Sequence, residues 1–170
     1  MTSVREADLT DFPFILPLSR DSFSPYGHYD LSIAKWFLTP GTYTFVCERE
    51  VNGKVCCGFI MFALMSEIRR GVSEMRRGVQ DKQDGETVLE IMAIAVSKEY
   101  RRQGIGSELI KFVKQFNEDL TAGGKPMKIR LSVAETNQVG RSFFEKCGFR
   151  VVAEAPRLYP AGQKALRMEL

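Results

Sequence analysis

Tyr100 to Ile110 reads YRRQGIGSELI. Two arginines and a glutamine lead into Gly104 and Gly106, and apolar periodicity begins directly afterwards. Upstream lies TVLEIMAIAV, residues 87–96, which reads as a buried and central strand. Downstream, Leu109, Ile110, Phe112, Val113 and Phe116 recur at helical spacing. A glycine loop between a strand and an amphipathic helix suits an anion. Glycine lets the backbone approach a ligand closely and take φ > 0. The first-turn amides of a helix lack intrahelical partners, and the helix dipole favours negative charge there. Phosphate is the simplest occupant. Arg101 and Arg102 add positive charge, and a guanidinium can hold phosphate oxygens bidentately.

Two common phosphate loops do not fit. A dinucleotide fingerprint needs a third glycine where Leu109 stands, and a P-loop needs a Gly-Lys-Ser/Thr run that is absent. At this level the alternative is a plain glycine turn between strand and helix.

The rest of the chain sets the fold class. Ser3–Ala7 reads as a strand, and Asp8 or Asp11 can cap a helix over FPFILPLSRDSF, with Pro17 as a possible kink. A turn-rich SPYGHYD precedes a short helix over Leu31–Leu38. TYTFVCERE and KVCCGFIMFAL flank VNGK, a hairpin signal with Asn-Gly at its centre. MKIRLSV is a strand, NQVGRSFFEKCGF a helix ended by Gly148, and RVVAEA and KALRMEL are closing strands around PRLYPAGQ. The order β-α-α-β-β-β-α-β-α-β-β predicts a mixed α/β fold, one sheet with helices on both faces. The chain is read as one domain, residues 1–170. Residues 66–86 form a polar insertion with a near-repeat, EIRRGVS then EMRRGVQ. That insertion is either a solvated segment or a docking element for an acidic partner.

Composition narrows the partners. A net charge of +3 is too mild to point to nucleic acid. There are four cysteines without C-x-x-C spacing and a single histidine, so no metal site is expected. Reduced thiols suit the cytoplasm. The N-terminus is charged where a signal peptide is apolar, and no run reaches the roughly 20 apolar residues that span a bilayer.

The run LEIMAIAVSKEYRRQGIGSELIKFV resembles the GNAT superfamily of acyl-CoA-dependent N-acyltransferases. The family signature [RQ]-x-x-G-x-[GA] is met by Arg101-Arg102-Gln103-Gly104-Ile105-Gly106. A second family motif, roughly N-x-x-A-x-x-[LF]-Y-x-x-x-G-F, is similar to NQVGRSFFEKCGF, residues 137–149. The resemblance covers nearly the whole chain outside the insertion. It implies a mostly antiparallel mixed sheet, splayed at the central strands, and acetyl-CoA as co-substrate. By the same resemblance the amides of Gln103, Gly104, Ile105, Gly106 and Ser107 cradle the pyrophosphate. Backbone groups of Ile94, Ala95 and Val96 pair with the pantetheine arm like an added strand. Asn137 positions the thioester or caps the following helix.

The implied reaction is direct attack of an amine on the acetyl thioester. Only a neutral amine attacks. Deprotonation at pH 7 costs a lysine about 4.6 kcal/mol and an α-amine about 1.4 kcal/mol. Glu90 is the candidate general base. Side chains alternate along a strand, so Glu90 is expected to share a face with Met92, Ile94 and Val96, where partial burial would raise its pKa. Phe144 stands where many family members carry a tyrosine that protonates the leaving thiolate. Tyr159, Tyr26 and Tyr29 are possible substitutes. Phe23, Tyr26, Tyr29, Trp36 and Tyr159 are candidates for the acceptor site, or else core. The acceptor is a peptide or protein N-terminus, a lysine or a small-molecule amine, and the protein is expected as monomer or homodimer. The alternative is a catalytically silent acyl-CoA-binding regulatory domain.

Overall fold

The central apolar run forms the middle strand of a seven-stranded sheet. The computed structural model describes residues 1–67 and 86–170. In chain order the elements are β1 (Thr2–Glu6), α1 (Phe12–Phe23), α2 (Tyr29–Phe37), β2 (Thr42–Glu50), β3 (Lys54–Glu67), β4 (Glu86–Val96), α3 (Ile105–Leu120), β5 (Lys128–Ala134), α4 (Gln138–Lys146), β6 (Arg150–Leu158) and β7 (Lys164–Glu169). This is the order read from the sequence. The strands lie β1-β2-β3-β4-β5-β7-β6 across the sheet. β4 and β5 run parallel, and the other described pairs are antiparallel.

Local chemistry explains the element ends. The hairpin between β2 and β3 turns through Asn52 and Gly53, both at positive φ. Asn and Gly tolerate that region best. Asp8 caps a 3-10 turn over Leu9–Asp11 that leads into α1. Asp11 makes no cap of its own on α1. Its carboxylate turns back to the Asp8 amide and to Arg5. α1 continues through Pro17. α2 starts two residues earlier than the sequence suggests, at Tyr29.

Apolar alternation divides the core between the two faces. Ile60, Phe62, Leu89 and Ile91 pack with Leu109, Val113 and Phe144 of α3 and α4. Phe59 and Met61 pack with Ile15, Leu18 and Ile33 of α1 and α2.

The strand's alternation breaks within β4. Met61 pairs with Ala93 and Phe62 with Ile91, so Met92 is an extra residue, a β-bulge. Met92 and Ala93 both pack toward α1 and α2, while Ile94 and Val96 face α3 and α4. The expected shared face of Glu90, Met92, Ile94 and Val96 is therefore corrected. One inserted residue shifts the two-residue period, and everything beyond it changes face.

β4 and β5 pair from Val88–Lys128 to Ile91–Leu131. Beyond that point β5 pairs with β7 while β4 pairs with β3, so the two strands splay. The polar insertion begins and ends inside paired strands, with Ser66 opposite Thr87 and Glu67 opposite Glu86. The rest of the near-repeat, 68–85, lies outside the described residues.

Candidate active site

The splay opens a cavity of about 480 Å³. One wall is Met92–Val96 of β4, and the facing wall is Leu131–Ala134 of β5. The glycine loop and the first turn of α3 close one end, and Tyr26, Tyr29 and Tyr159 line the other. Extended backbone that has lost its neighbour strand must satisfy its amides and carbonyls elsewhere. A ligand with amide groups of its own can do so as an added strand.

Loop geometry separates the roles of the two glycines. Gly104 has φ +86°, and a Cβ there would meet nothing within 4 Å. Its need is conformational. Gly106 lies inside α3, and a Cβ there would come within 3.1 Å of the Phe143 ring. Its need is room for α4, which differs from the expected freedom of backbone angle. The first bond of α3 runs from the Glu108 amide to the Gly104 carbonyl at 3.0 Å. The amides of Ile105, Gly106 and Ser107 precede it and sit at the open helix end, on the cavity wall. These residues fit a pyrophosphate.

Arg101 and Arg102 also line the cavity. The Arg101 Nε donates to the Val96 carbonyl at 2.8 Å, tying the loop to the end of β4. Gln103 stands outside the wall, and its side chain bonds Glu99 and Arg49.

Asn137 acts as a helix cap: its Oδ1 accepts from the Gly140 amide at 2.9 Å. It also lines the cavity. A Cβ at position 140 would fall 2.5 Å from the Asn137 side chain, so alanine there would have to displace the cap. Phe144 lines the cavity from a buried position and offers no proton.

The tyrosines form one cluster. Tyr159 lies 5.3 Å from Tyr26 and 6.0 Å from Tyr29 between ring centroids. Its hydroxyl donates to the Ser132 carbonyl at 3.1 Å. Burial pushes the Tyr29 phenol up to about 12, with the Glu90 charge adding to it. Burial raises Tyr26 and Tyr159 as well, so all three stay protonated at neutral pH. Trp36 is not a wall of the cavity. It packs edge-on behind Tyr29 at 5.4 Å, within the α1 and α2 core.

Glu90 also lies outside the wall. It sits on the α1 and α2 side, before the bulge, and its Oε2 accepts from Arg130 Nε at 2.5 Å. Among the described residues no group of His, Cys, Asp or Glu could hold a metal, and no helix is long and apolar enough to cross a membrane.

Tyr100, Phe143 and the β5 wall join the site without having been singled out for it, and Phe23 lines it beside the tyrosines. Phe143 fills the Leu/Phe position of the second motif and could have been found there. The β5 wall follows from strand order across the sheet, which carries no local signal.

The chain matches the model of the acetyltransferase (GNAT) family over residues 2–149. No curated protein matches it. Among solved structures it is similar to Arabidopsis thaliana NAA60 in complex with acetyl-CoA, at TM-score 0.74 and 18% identity, covering 100% of this chain and 98% of that one. It is similar to the ribosomal-protein-S18-alanine N-acetyltransferase of Escherichia coli, at TM-score 0.67 and 19% identity, covering 100% and 93%. It is also similar to the Vibrio cholerae spermidine N-acetyltransferase in complex with CoA and spermine, at TM-score 0.68 and 20% identity, covering 99% and 94%. A strand pair that parts beside a glycine-led helix end is what an acyl-CoA needs, and with the family match it settles the assignment. The chain belongs to the acetyltransferase (GNAT) family and is an acetyl-CoA-dependent N-acetyltransferase.

Proposed function

We propose that the acceptor is the α-amine of a peptide whose first side chain is apolar, entering from the tyrosine end of the cavity. The observation that carries this reading is the composition of the wall. Tyr26, Tyr29, Tyr159 and Phe23 line that end, and among the described residues no Asp or Glu lines the cavity. A polycationic acceptor would need carboxylates at its site. An α-amine also needs the least deprotonation. One of the similar structures points the same way. It is named as an N-acetyltransferase of a ribosomal-protein alanine.

In the reaction the neutral amine attacks the thioester carbonyl, the new C–N bond forms, and the C–S bond breaks. Glu90 takes the amine proton through a water, since its side chain is partly exposed but stands off the cavity wall. The helix end at Ile105–Ser107 holds the pyrophosphate, and β4 from Met92 to Val96 aligns the pantetheine arm. The thiolate leaves without an acid at Phe144. Thiols titrate near pH 8.5, so a thiolate is a tolerable leaving group.

The test is thiol release from acetyl-CoA with peptides of apolar or acidic first residue and with spermidine. Turnover confined to apolar-led peptides supports the reading. Faster turnover of spermidine than of any peptide sinks it.

A further inference from the structure

We propose that Arg49 of β2 is a positioning residue for the pyrophosphate loop, acting through Gln103 across 54 residues of sequence. The inference rests on the loop's reading as the pyrophosphate site.

The loop is held by side chains. Arg101 reaches back to the Val96 carbonyl at 2.8 Å. Gln103 Nε2 donates to the Glu99 carbonyl at 2.7 Å. Gln103 Oε1 in turn accepts from Arg49 Nη1. Gln103 stands between two residues in the left-handed region, Arg102 at φ +61° and Gly104 at φ +86°. A non-glycine residue at such an angle persists when its surroundings impose it. Here the Gln103 amide is clamped at both ends, and one clamp belongs to a strand in the sheet. β2 pairs with both β1 and β3, so Arg49 is anchored on a rigid frame. The guanidinium also places a positive charge beside a loop that binds an anion, and it stays charged at any working pH. The signature motif holds Arg101 and Gln103 but not Arg49, which is remote from it in sequence.

The experiment compares two donors, acetyl-CoA and S-acetylpantetheine, which lacks the pyrophosphate. Arg49→Ala is expected to raise KM for acetyl-CoA about fivefold, the net worth of one ordinary hydrogen bond. kcat stays within about twofold, and KM for S-acetylpantetheine does not change. Gln103→Ala gives a similar rise, and the double variant is no worse than either single one, because both break one linkage. Arg49→Lys recovers part of the loss. An equal penalty on both donors would make Arg49 merely structural, and multiplying penalties in the double variant would uncouple it from Gln103; either overturns the proposal. A wild-type enzyme that uses both donors with equal KM would overturn the loop reading itself, and the Arg49 role with it.

Discussion

Arg130 and Glu90 face each other across β4 and β5, with Arg130 Nε 2.5 Å from Glu90 Oε2, one residue before the last pair of the parallel ladder. The ion pair therefore ties the two strands at the vertex of the splay. Both side chains are largely withdrawn from water, at 11% and 23% exposure. Removing one partner leaves the other charge poorly compensated. Arg130→Met is expected to cost about 2 kcal/mol, or about 4–8 °C in Tm for a domain of this size. A thermal scan decides it, and an unchanged midpoint would show that the vertex holds without the pair.

Glu90→Gln separates chemistry from structure. The amide keeps the shape and can still accept from Arg130, but it cannot take a proton. Turnover is expected to fall about 100-fold with little change in KM for acetyl-CoA. A wild-type rate would remove Glu90 from the mechanism.

Gly58 guards the far end of β4. It pairs with Val96, and a Cβ there would lie 2.8 Å from the Ala95 carbonyl oxygen. Backbone cannot step aside as a side chain can. Gly58→Ala is expected to cost about 2 kcal/mol in denaturant unfolding and to raise KM for acetyl-CoA, since β4 is a cavity wall. Stability and KM both at wild-type values would mean that the strands absorb the methyl.

Gly140→Ala sets two small effects against each other. Alanine improves the helix by up to about 1 kcal/mol, and displacing the Asn137 cap costs about the same. Stability should barely move. If Asn137 also positions the thioester, kcat falls while Tm holds, which steady-state rates and a thermal scan resolve together. Unchanged kcat would leave Asn137 as a cap and nothing more.

Stability should fall at both extremes of pH. The Arg5 guanidinium, bonded to both Asp11 oxygens at 2.8 Å, holds that carboxyl below its usual value of 3.8. Its folded pKa is depressed, so its contribution is complete above about pH 4 and drains away as pH falls below that. Burial raises the Tyr29 phenol to about 12 against an ordinary 10.0. Its contribution is present below about pH 10 and is lost between pH 10 and 12. Urea unfolding across pH should show both limbs, with Asp11→Asn making the acid limb shallower and Tyr29→Phe the alkaline one, which Tyr26 and Tyr159 also feed. Limbs as steep as in the wild type after both substitutions would assign the pH dependence to other groups.

The order of the elements, the glycine loop and the helix it opens were legible in the sequence. They depend on local chemistry: period-2 and period-3.6 apolar spacing, Asn-Gly at a turn, glycine where φ is positive. Gly104–Ser107 and Asn137 of the two motifs line the cavity, and Tyr26, Tyr29 and Tyr159 lie at its far end. What the tertiary structure decided depends on contacts between distant residues. The bulge at Met92 reversed the side of Ile94 and Val96, because a bulge is set by pairing with β3 and not by the residues of β4 alone. Arg130 supplied Glu90 with a partner 40 residues away, where alternation had offered an apolar face. Gly106 proved to make room for Phe143, Trp36 to stand behind Tyr29, and Arg49 to reach Gln103. Local pattern specifies which element a residue belongs to. Which partner it meets is chosen when the elements pack, and that choice built this site.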